Sequence, residues 1–151
     1  MTVCFIHRLD VRFRDCDPLG HVNNAVYLTY LEQARFSHWR ALWGFRKVPR
    51  PSDGPGAEGE KTPGVILARV EIDYRQQARE GDVLEMRVGV AAIGRTSFTY
   101  EYEIVDQAGG IVATARSVQV MYDYTAGTPV TVPDTIRDLL SRPLAADRGA
   151  S

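Results

Sequence analysis

The sequence predicts an α+β domain in which one curved antiparallel β-sheet wraps around a single long central helix. Two observations lead to this fold class. A segment near residue 30 has apolar residues at helical spacing around most of its circumference, so it has to be buried on several sides. Four long β-rich segments with short connections follow, and one sheet is then the only element large enough to cover the helix. The length of 151 residues fits one domain, which we expect to span residues 1–142, with residues 143–151 as a flexible tail.

The first predicted strand covers residues 3–14, VCFIHRLDVRFR. Its second half alternates apolar and polar residues, with Leu9, Val11 and Phe13 on the side expected to face the core. The predicted helix then runs from Asn24 to Trp43. Its core positions at helical spacing are Tyr27, Tyr30, Leu31, Ala34, Ala41 and Leu42. Apolar residues also fill much of the remaining circumference, at Leu28, Phe36, Trp39 and Trp43.

Residues 49–63 contain four prolines and three glycines, which predicts a flexible loop after the helix. Four strands follow, at residues 65–74, 83–93, 97–105 and 111–124. Because their connections RQQAREGD, GRT and DQAGG are short and turn-like, we expect the strands to pair in order as an antiparallel meander. A short helix, DTIRDLL, is predicted directly after Pro133. The open outer face of such a sheet suggests a partner sheet in a dimer.

The composition excludes several classes of protein. The formal net charge of -1 gives no positive field for nucleic acid, and no run approaches the roughly 18 apolar residues of a membrane helix. The N-terminal residues carry charges within their apolar stretch, unlike a signal peptide, so we expect a cytoplasmic protein. Cys4 and Cys16 are too few for a disulfide framework and match no zinc spacing. We interpret both as free thiols and predict no metal site.

Residues 14–27, RDCDPLGHVNNAVY, concentrate turn-forming and titratable residues directly before the helix. Asn23 or Asn24 can act as the N-cap, and the first helical amides then point outward with the positive end of the helix dipole behind them. A sharp turn at residues 18–20 places Asp17 just outside this helix start. The pairing suits acyl transfer, because an oxyanion needs fixed donors and a carboxylate can attack the carbonyl or activate water.

A thioester fits this limited set of groups better than an amide does, since a thiol of pKa about 8.5 leaves without a strong acid. The residues alone reach thioester hydrolysis and no further. The same cluster also fits a turn and cap without chemistry, and His21 also fits a structural histidine. Asp15 and Asp17 point to opposite faces of an extended segment, so they make a poor metal site. The alternating strand before them is unlike that of a phosphotransfer aspartate motif.

The segment FRDCDPLGHVNNAVYLTYLEQAR, at residues 13–35, resembles the N-terminal signature of hotdog-fold acyl-CoA thioesterases. The resemblance is to the branch that includes 4-hydroxybenzoyl-CoA thioesterase. It continues through EIDYR at 71–75, GDVL at 81–84, IGRTSF at 93–98 and SVQVMYD at 117–123, and so covers about residues 5 to 140. It implies the hotdog fold inferred above and acyl-CoA as the substrate. It also implies homodimers that pair their sheets edge to edge, or homotetramers, with active sites at subunit interfaces.

The resemblance also implies site residues. It makes Asp17 the catalytic nucleophile or general base, and it places the amide that polarises the carbonyl near Asn24. His21 and Asn23 occupy the motif and order the loop or a water. A segment that helps to hold coenzyme A in relatives corresponds to Arg95, Thr96 and Ser97. No cofactor is implied, because coenzyme A is part of the substrate.

Several alternatives stay open on the sequence alone. The HVNN form is more similar to the fatty acyl-CoA side of the family than to the aryl-CoA side, so we expect a fatty acyl group. Glu32 and Arg35 stand at i, i+3 spacing, and we interpret them as an ion pair with each other or across a dimer. The rival function is a non-catalytic module of the same fold that binds acyl-CoA or acyl-carrier protein. A hotdog hydratase acting on enoyl-CoA is a third possibility.

Overall fold

The computed structural model describes residue 3, residues 5–42 and residues 64–142. Within these ranges the elements are β1 Phe5–Asp10, α1 Val26–Leu42, β2 Gly64–Tyr74, β3 Val83–Ile93, β4 Ser97–Val105, β5 Ile111–Asp123, β6 Thr128–Pro129 and α2 Asp134–Leu140. The predicted bounds of α1, α2 and the four long strands agree to within two residues wherever the structure describes them. The predictions for Cys4, Trp43, the loop at 49–63 and the tail at 143–151 lie outside the described residues.

β1 ends four residues earlier than the predicted strand. Residues Phe13–Asp15 form a short 3-10 turn, and Phe13, which was expected to face the core, is 79% exposed. The Asp15 carboxylate accounts for this difference, because it accepts the N–H of Arg12 at 3.0 Å and bends the chain out of the strand. The prediction of a continuous strand to residue 14 is therefore wrong.

The strands form one antiparallel sheet in the order β1-β3-β4-β5-β2, with the short β6 beside β5. β3, β4 and β5 make the predicted meander. The expectation that all four long strands pair in order is wrong for β2. This strand joins the far side of β5, with Gly64 opposite Tyr122 and Tyr74 opposite Ala113. Among the strands that the structure describes, β1 and β2 are therefore the two edges of the sheet.

The connection between β2 and β3, residues 75–82, crosses the end of the sheet. It passes β5 and β4, a distance of about 14 Å at the usual strand spacing. Its anchor is the fully buried Ala78, whose C=O accepts the N–H of Val22 at 2.8 Å. In sequence this short polar segment is indistinguishable from a hairpin turn. In the fold it ties the sheet to the chain that precedes α1.

One face of the sheet packs against α1 and forms the core. The predicted core positions of α1 are buried, apart from Ala41, which is half-buried. Leu28 and Phe36, in contrast, are 43% and 60% exposed. They lie on the flank of α1 next to Arg35, whose side chain reaches toward β4. Within the described part of the chain, α1 is therefore uncovered along this flank, and the expected burial of the helix on several sides fails at Leu28 and Phe36.

The opposite face of the sheet carries ion pairs. Arg87 contacts Glu85 and Glu103, both at 2.9 Å, and Arg8 contacts Glu85 at 3.2 Å. Further pairs join Arg116 to Glu101 and Arg69 to Glu71. Exposed charges of this kind favour contact with water over an apolar interface. These charges do not favour burial of the outer face against an apolar surface; that this face meets a partner sheet in a dimer stays a prediction.

Candidate active site

We call residues 15–25 the pre-helix loop. Cys16 and Val22 form an isolated antiparallel bridge, which closes the loop on itself. The N–H of Asp17 donates to the C=O of His21 at 3.0 Å, and the N–H of Gly20 donates to the C=O of Asp17 at 2.9 Å. Gly20 has a φ of +87°, a conformation that favours glycine. The resulting tight turn places the side chains of Asp17 and His21 side by side.

The Asp17 carboxylate is held by its own loop. Its Oδ1 accepts the N–H of Leu19 at 2.9 Å, and its Oδ2 lies 3.9 Å from Nδ1 of His21. The side chain is only 20% exposed. Asp17 is therefore shielded and oriented, with one oxygen that accepts a backbone hydrogen bond and one that faces the imidazole.

His21 is tied to the backbone rather than to a catalytic partner. Its Nδ1 lies 3.4 Å from the C=O of Val22, and the side chain is half-buried. A hydrogen on Nδ1 satisfies this carbonyl and leaves Nε2 as an acceptor. This geometry suits the role of ordering the loop or a water molecule better than that of a base acting on Asp17.

The start of α1 distinguishes the two adjacent asparagines. Asn23 is the capping residue: its Oδ1 accepts the N–H of Ala25 at 2.9 Å, and its C=O accepts the N–H of Val26 at 2.9 Å. Asn24 is exposed, and its N–H makes no hydrogen bond to any of the described residues. Because the positive end of the helix dipole lies behind it, this N–H is available to an oxygen that gains negative charge.

Asp15 is a buried structural anion rather than a site residue. Its carboxylate accepts the N–H of Arg12 at 3.0 Å, the guanidinium of Arg12 at 3.1 Å and the hydroxyl of Tyr30 at 2.8 Å. Burial alone would raise the pKa of Asp15, but these hydrogen bonds outweigh it and hold the pKa below its ordinary value. Burial and the neighbouring Asp15 raise the pKa of Tyr30, which therefore stays a donor. The i, i+3 spacing of Arg12 and Asp15 was the one sequence signal for this arrangement.

A row of three tyrosines joins the end of β2 to the pre-helix loop. The hydroxyl of Tyr74 donates to the C=O of Asn24 at 2.8 Å, and its ring packs edge-on against Tyr27 with centroids 5.3 Å apart. Tyr27 packs against Tyr30 in the same way, at 5.8 Å. No local pattern in the sequence marks Tyr74, because its partner lies 50 positions earlier in the chain.

The turn predicted to hold coenzyme A has a fixed backbone and an exposed arginine. The N–H of Gly94 donates to the C=O of Ser97 at 2.7 Å, and the C=O of Arg95 accepts the N–H of Val132 at 2.8 Å. The guanidinium of Arg137 donates to the C=O of Gly94 at 2.9 Å. The Arg95 side chain extends into solvent, while Thr96 and Ser97 are half-buried.

Within one chain the two parts of the predicted site lie at opposite ends of the sheet. The pre-helix loop follows the end of β1, where Asp10 pairs with Val83. Arg95 lies beyond the other end of β3, where Ile93 pairs with Phe98. The 11 residues of β3 separate these ends by about 30 Å. The structure therefore brings Asp17, His21, Asn23 and Asn24 together but leaves Arg95, Thr96 and Ser97 apart from them.

A buried polar network lies between the uncovered flank of α1 and the sheet. The half-buried Arg35 donates to the hydroxyl of Tyr102 at 3.4 Å, and this hydroxyl lies 2.6 Å from Oγ of Ser117. The side-chain amide of Gln119 continues the network to Ser117. No ion pair joins Glu32 and Arg35 among the described residues, so their interpretation as an ion pair with each other is wrong for the single chain.

The edge strand β2 is open on the side that faces α1. Its register with β5 puts Val65, Leu67, Val70, Ile72 and Tyr74 on the face that carries α1. Three of them are exposed and two are half-buried. Among the described strands it pairs only with β5, so one of its backbone edges has no strand partner there. An open edge beside exposed apolar side chains is the usual signature of a strand that pairs with another chain.

Comparison with known proteins decides the family. The profile of the thioesterase-like superfamily matches residues 11–140. The chain belongs to this superfamily. The predicted hotdog fold and the predicted class, a thioester hydrolase, are thereby confirmed.

The similar proteins include one solved with ligands. A thioesterase from Thermus thermophilus, complexed with coenzyme A and Zn, is 33% identical, with a TM-score of 0.72 over 91% of this chain and 97% of that one. YsmA of Bacillus subtilis (strain 168) is 26% identical over 90% of this chain and 84% of its own length. THEM6 of Danio rerio is also 26% identical, and this chain spans only 63% of its length.

Two further findings bear on the class of protein. None of the described helices combines the length and the apolar character needed to cross a membrane. Among the residues in the described ranges, no three His, Cys, Asp or Glu side chains converge as a metal site would require. Cys16 is a free thiol.

Proposed function

We propose that this thioesterase-family protein hydrolyses the thioester of an acyl-CoA, with Asp17 and the amide of Asn24 at the reaction centre. The observation that carries the proposal is the pairing of a shielded, oriented carboxylate with an uncommitted N–H at a helix start, within one loop. Membership of the thioesterase-like superfamily supports the thioester as the bond that is cleaved.

The carbonyl oxygen of the substrate lies against the N–H of Asn24 in this proposal. As the carbonyl carbon is attacked, that oxygen becomes an oxyanion, and the fixed amide and the helix dipole stabilise it. Asn23 supports the arrangement, because it caps the helix and holds the following peptide. Loss of one such donor typically costs about 10²–10³ in rate.

Two routes are open to Asp17. As a general base it takes a proton from water, the water oxygen bonds to the carbonyl carbon, and the C–S bond breaks. As a nucleophile it forms the new bond itself, and water then hydrolyses the resulting anhydride. In both routes the sulfur of coenzyme A leaves as a thiolate or, after protonation, as a thiol, which needs no strong acid. His21, 3.9 Å from the carboxylate, orders the loop and the attacking water.

A fatty acyl group fits the uncovered flank of α1. Leu28 lies one turn beyond Asn24 on this flank, and Phe36 lies two turns further along; both side chains are exposed. An acyl chain that starts at the N–H of Asn24 and follows α1 covers these apolar surfaces. The half-exposed apolar side chains of β2 offer it a second wall.

The separation of the two parts of the site leads us to propose a homodimer, with a tetramer as a further assembly. If two β2 strands pair antiparallel at their open edges, the Arg95 end of one sheet comes beside the Asp17 end of the other. Arg95 can then reach a phosphate of a coenzyme A whose thioester lies at the partner's pre-helix loop. Thr96 and Ser97 line the same turn. The CoA complex of the Thermus relative supports coenzyme A as the leaving group.

No cofactor takes part in this proposal, because coenzyme A belongs to the substrate. Acyl-CoA thioesters are intracellular compounds, so we also propose a cytoplasmic location for this protein.

Release of free thiol from a panel of short-chain, long-chain and aromatic acyl-CoAs tests the function. We expect the wild-type protein to turn over long acyl chains fastest and Asp17→Asn to lose at least about 10²-fold in kcat while the oligomeric state persists. Asp10→Asn is the matched control, because Asp10 is an exposed carboxylate on β1 and should keep full activity.

Near-wild-type turnover by Asp17→Asn would remove Asp17 from the reaction centre. A wild-type protein that binds acyl-CoA in calorimetry yet releases no thiol would instead favour the non-catalytic binding module. If the protein adds water to an enoyl-CoA, measured as a loss of the absorbance of the enoyl-CoA, the result would favour a hydratase.

A further inference from the structure

We propose that Tyr74 is a positioning residue of the active site, which fixes the direction of the reaction-centre amide from the end of the edge strand β2. The inference rests on the proposed function, because it assigns a role in holding the amide of Asn24. The hydrogen bond from the Tyr74 hydroxyl to the C=O of Asn24, at 2.8 Å, joins residues 50 positions apart.

The two peptide units on either side of the Asn24 Cα are held by three different groups. The unit that follows Asn24 has its C=O bound by Tyr74 and its N–H bound by Oδ1 of Asn23, at 2.8 and 2.9 Å. The unit that precedes Asn24 has its C=O bound by the N–H of Val26, at 2.9 Å. A trans peptide is planar, with its C=O and N–H pointing opposite ways, so the Val26 bond sets the direction of the N–H of Asn24. The bonds from Tyr74 and to Asn23 fix the next unit and so restrict rotation of the backbone about the Asn24 Cα.

This hydrogen bond is not needed to satisfy a buried group. Asn24 is exposed and Tyr74 is 50% exposed, so water would solvate the carbonyl and the hydroxyl if they separated. Packing of the Tyr74 ring against Tyr27 holds the hydroxyl in place independently of the bond. A hydrogen bond in such a place adds little to the stability of the fold, and its main effect is to restrict the direction of the peptide.

Tyr74→Phe isolates the hydroxyl, because it keeps the ring and its contact with Tyr27. We expect kcat on the best acyl-CoA to fall about tenfold, less than the roughly 10²–10³ of a lost oxyanion donor, with KM and the thermal midpoint unchanged. Tyr124→Phe is the matched control: this tyrosine is also exposed, packs edge-on against Tyr122, and should keep wild-type kcat.

A double-mutant cycle tests whether Tyr74 and Asn23 act on the same peptide. If Tyr74→Phe and Asn23→Ala each lower kcat about tenfold by releasing the Asn24–Ala25 peptide, the double variant should fall about tenfold as well, because the peptide is already free. A hundredfold fall would mean that the two act independently and would overturn the proposal.

Three results would contradict the role of Tyr74, and each is distinguishable. Wild-type kcat in Tyr74→Phe, with turnover lost in Asp17→Asn, overturns the positioning role and leaves the proposed function intact. A raised KM with unchanged kcat makes Tyr74 a substrate contact instead. Absence of thiol release by the wild-type protein removes the proposed function and this inference with it.

Discussion

The two ends of the sheet hold the two parts of the candidate site in different ways. At the end where α1 starts, the pre-helix loop is fixed by its own chain, through Asp15, Asn23 and Tyr74. At the other end the backbone of the Gly94–Ser97 turn is equally fixed, but the side chain of Arg95, the candidate contact to coenzyme A, is exposed.

This difference matches the two proposed tasks, stabilisation of a transition state at one end and binding of a phosphate at the other. Groups that stabilise a transition state have to be held before the reaction, because reorienting them costs free energy at the moment it is needed. A guanidinium that binds a flexible phosphate can adapt, and a long side chain reaches it from a distance. Under the proposed function, the single chain completes the reacting end by itself, and assembly with a second chain completes the coenzyme A end. Variants at Leu67 and Arg95 test this division, and the pH dependence of stability compares the two ends of α1.

The largest effect is expected when a substitution prevents two chains from pairing at the open edge of β2. Leu67→Lys places a charge among the exposed apolar side chains of this strand, which should prevent pairing with a second chain. We expect a folded monomer by sedimentation and a loss of about 10²-fold or more in kcat/KM. Val3→Lys puts the same charge on another exposed apolar residue, before the opposite edge strand, and should change neither property. A monomeric Leu67→Lys protein with full activity would show that one chain suffices.

An effect of intermediate size is expected on the free energy of unfolding as the pH falls. The two ends of α1 involve different buried titratable groups, Asp15 near its start and His38 near its end. Burial lowers the pKa of His38, beside Tyr100, to about 4. The unfolded chain binds this proton near pH 6.5, so stability is full above pH 6.5 and falls by about 3 kcal/mol down to pH 4. Asp15, whose pKa is lowered, loses its contribution only at still lower pH, below its ordinary value.

Urea unfolding at several pH values separates these two windows. His38→Gln should flatten the dependence between pH 6.5 and pH 4, and Asp15→Asn should leave that window unchanged while it lowers stability at neutral pH. An unaltered slope in His38→Gln would mean that His38 does not carry the pH dependence.

The smallest effect is expected at the coenzyme A end. Arg95→Ala should raise KM for acyl-CoA about tenfold, the equivalent of about 1.4 kcal/mol, with kcat unchanged, because only ground-state binding of a phosphate is lost. A thioester of pantetheine, which lacks the nucleotide phosphates, should be hydrolysed equally well by both proteins. Arg40→Ala, at an exposed arginine on α1, is the control. A lowered kcat would assign Arg95 to the reaction itself.

Much of the fold follows from local pattern. The 3.6-residue spacing of Tyr27, Leu31 and Ala34 predicts α1, and the short turns at 94–96 and 106–110 predict the central meander. The pre-helix loop could also be predicted as one unit, because its residues are close together in the sequence. Asp17 and Asn24 are only seven residues apart, and turn formers lie between them.

The remaining features depend on contacts between distant segments. β2 pairs with β5 instead of β3, and residues 75–82, anchored at Ala78, cross the end of the sheet between them; no local pattern marks that anchor. Tyr74 meets Asn24 only after this crossing has been made. Phe13 follows the alternation of a strand, yet it is exposed, because Asp15 finds its donors at Arg12 and Tyr30.

The strand order of the sheet also has a consequence for how the chain reaches this structure during synthesis. Both edge strands and the long helix leave the ribosome before any of the three central strands. β1 has no pairing partner until β3 emerges, and β2 has none until β5 emerges. The apolar side of α1 therefore stays uncovered while about 40 to 80 further residues are translated. The sheet can therefore close around α1 only after β5 has emerged, so the C-terminal half of the chain sets when the domain can complete its fold.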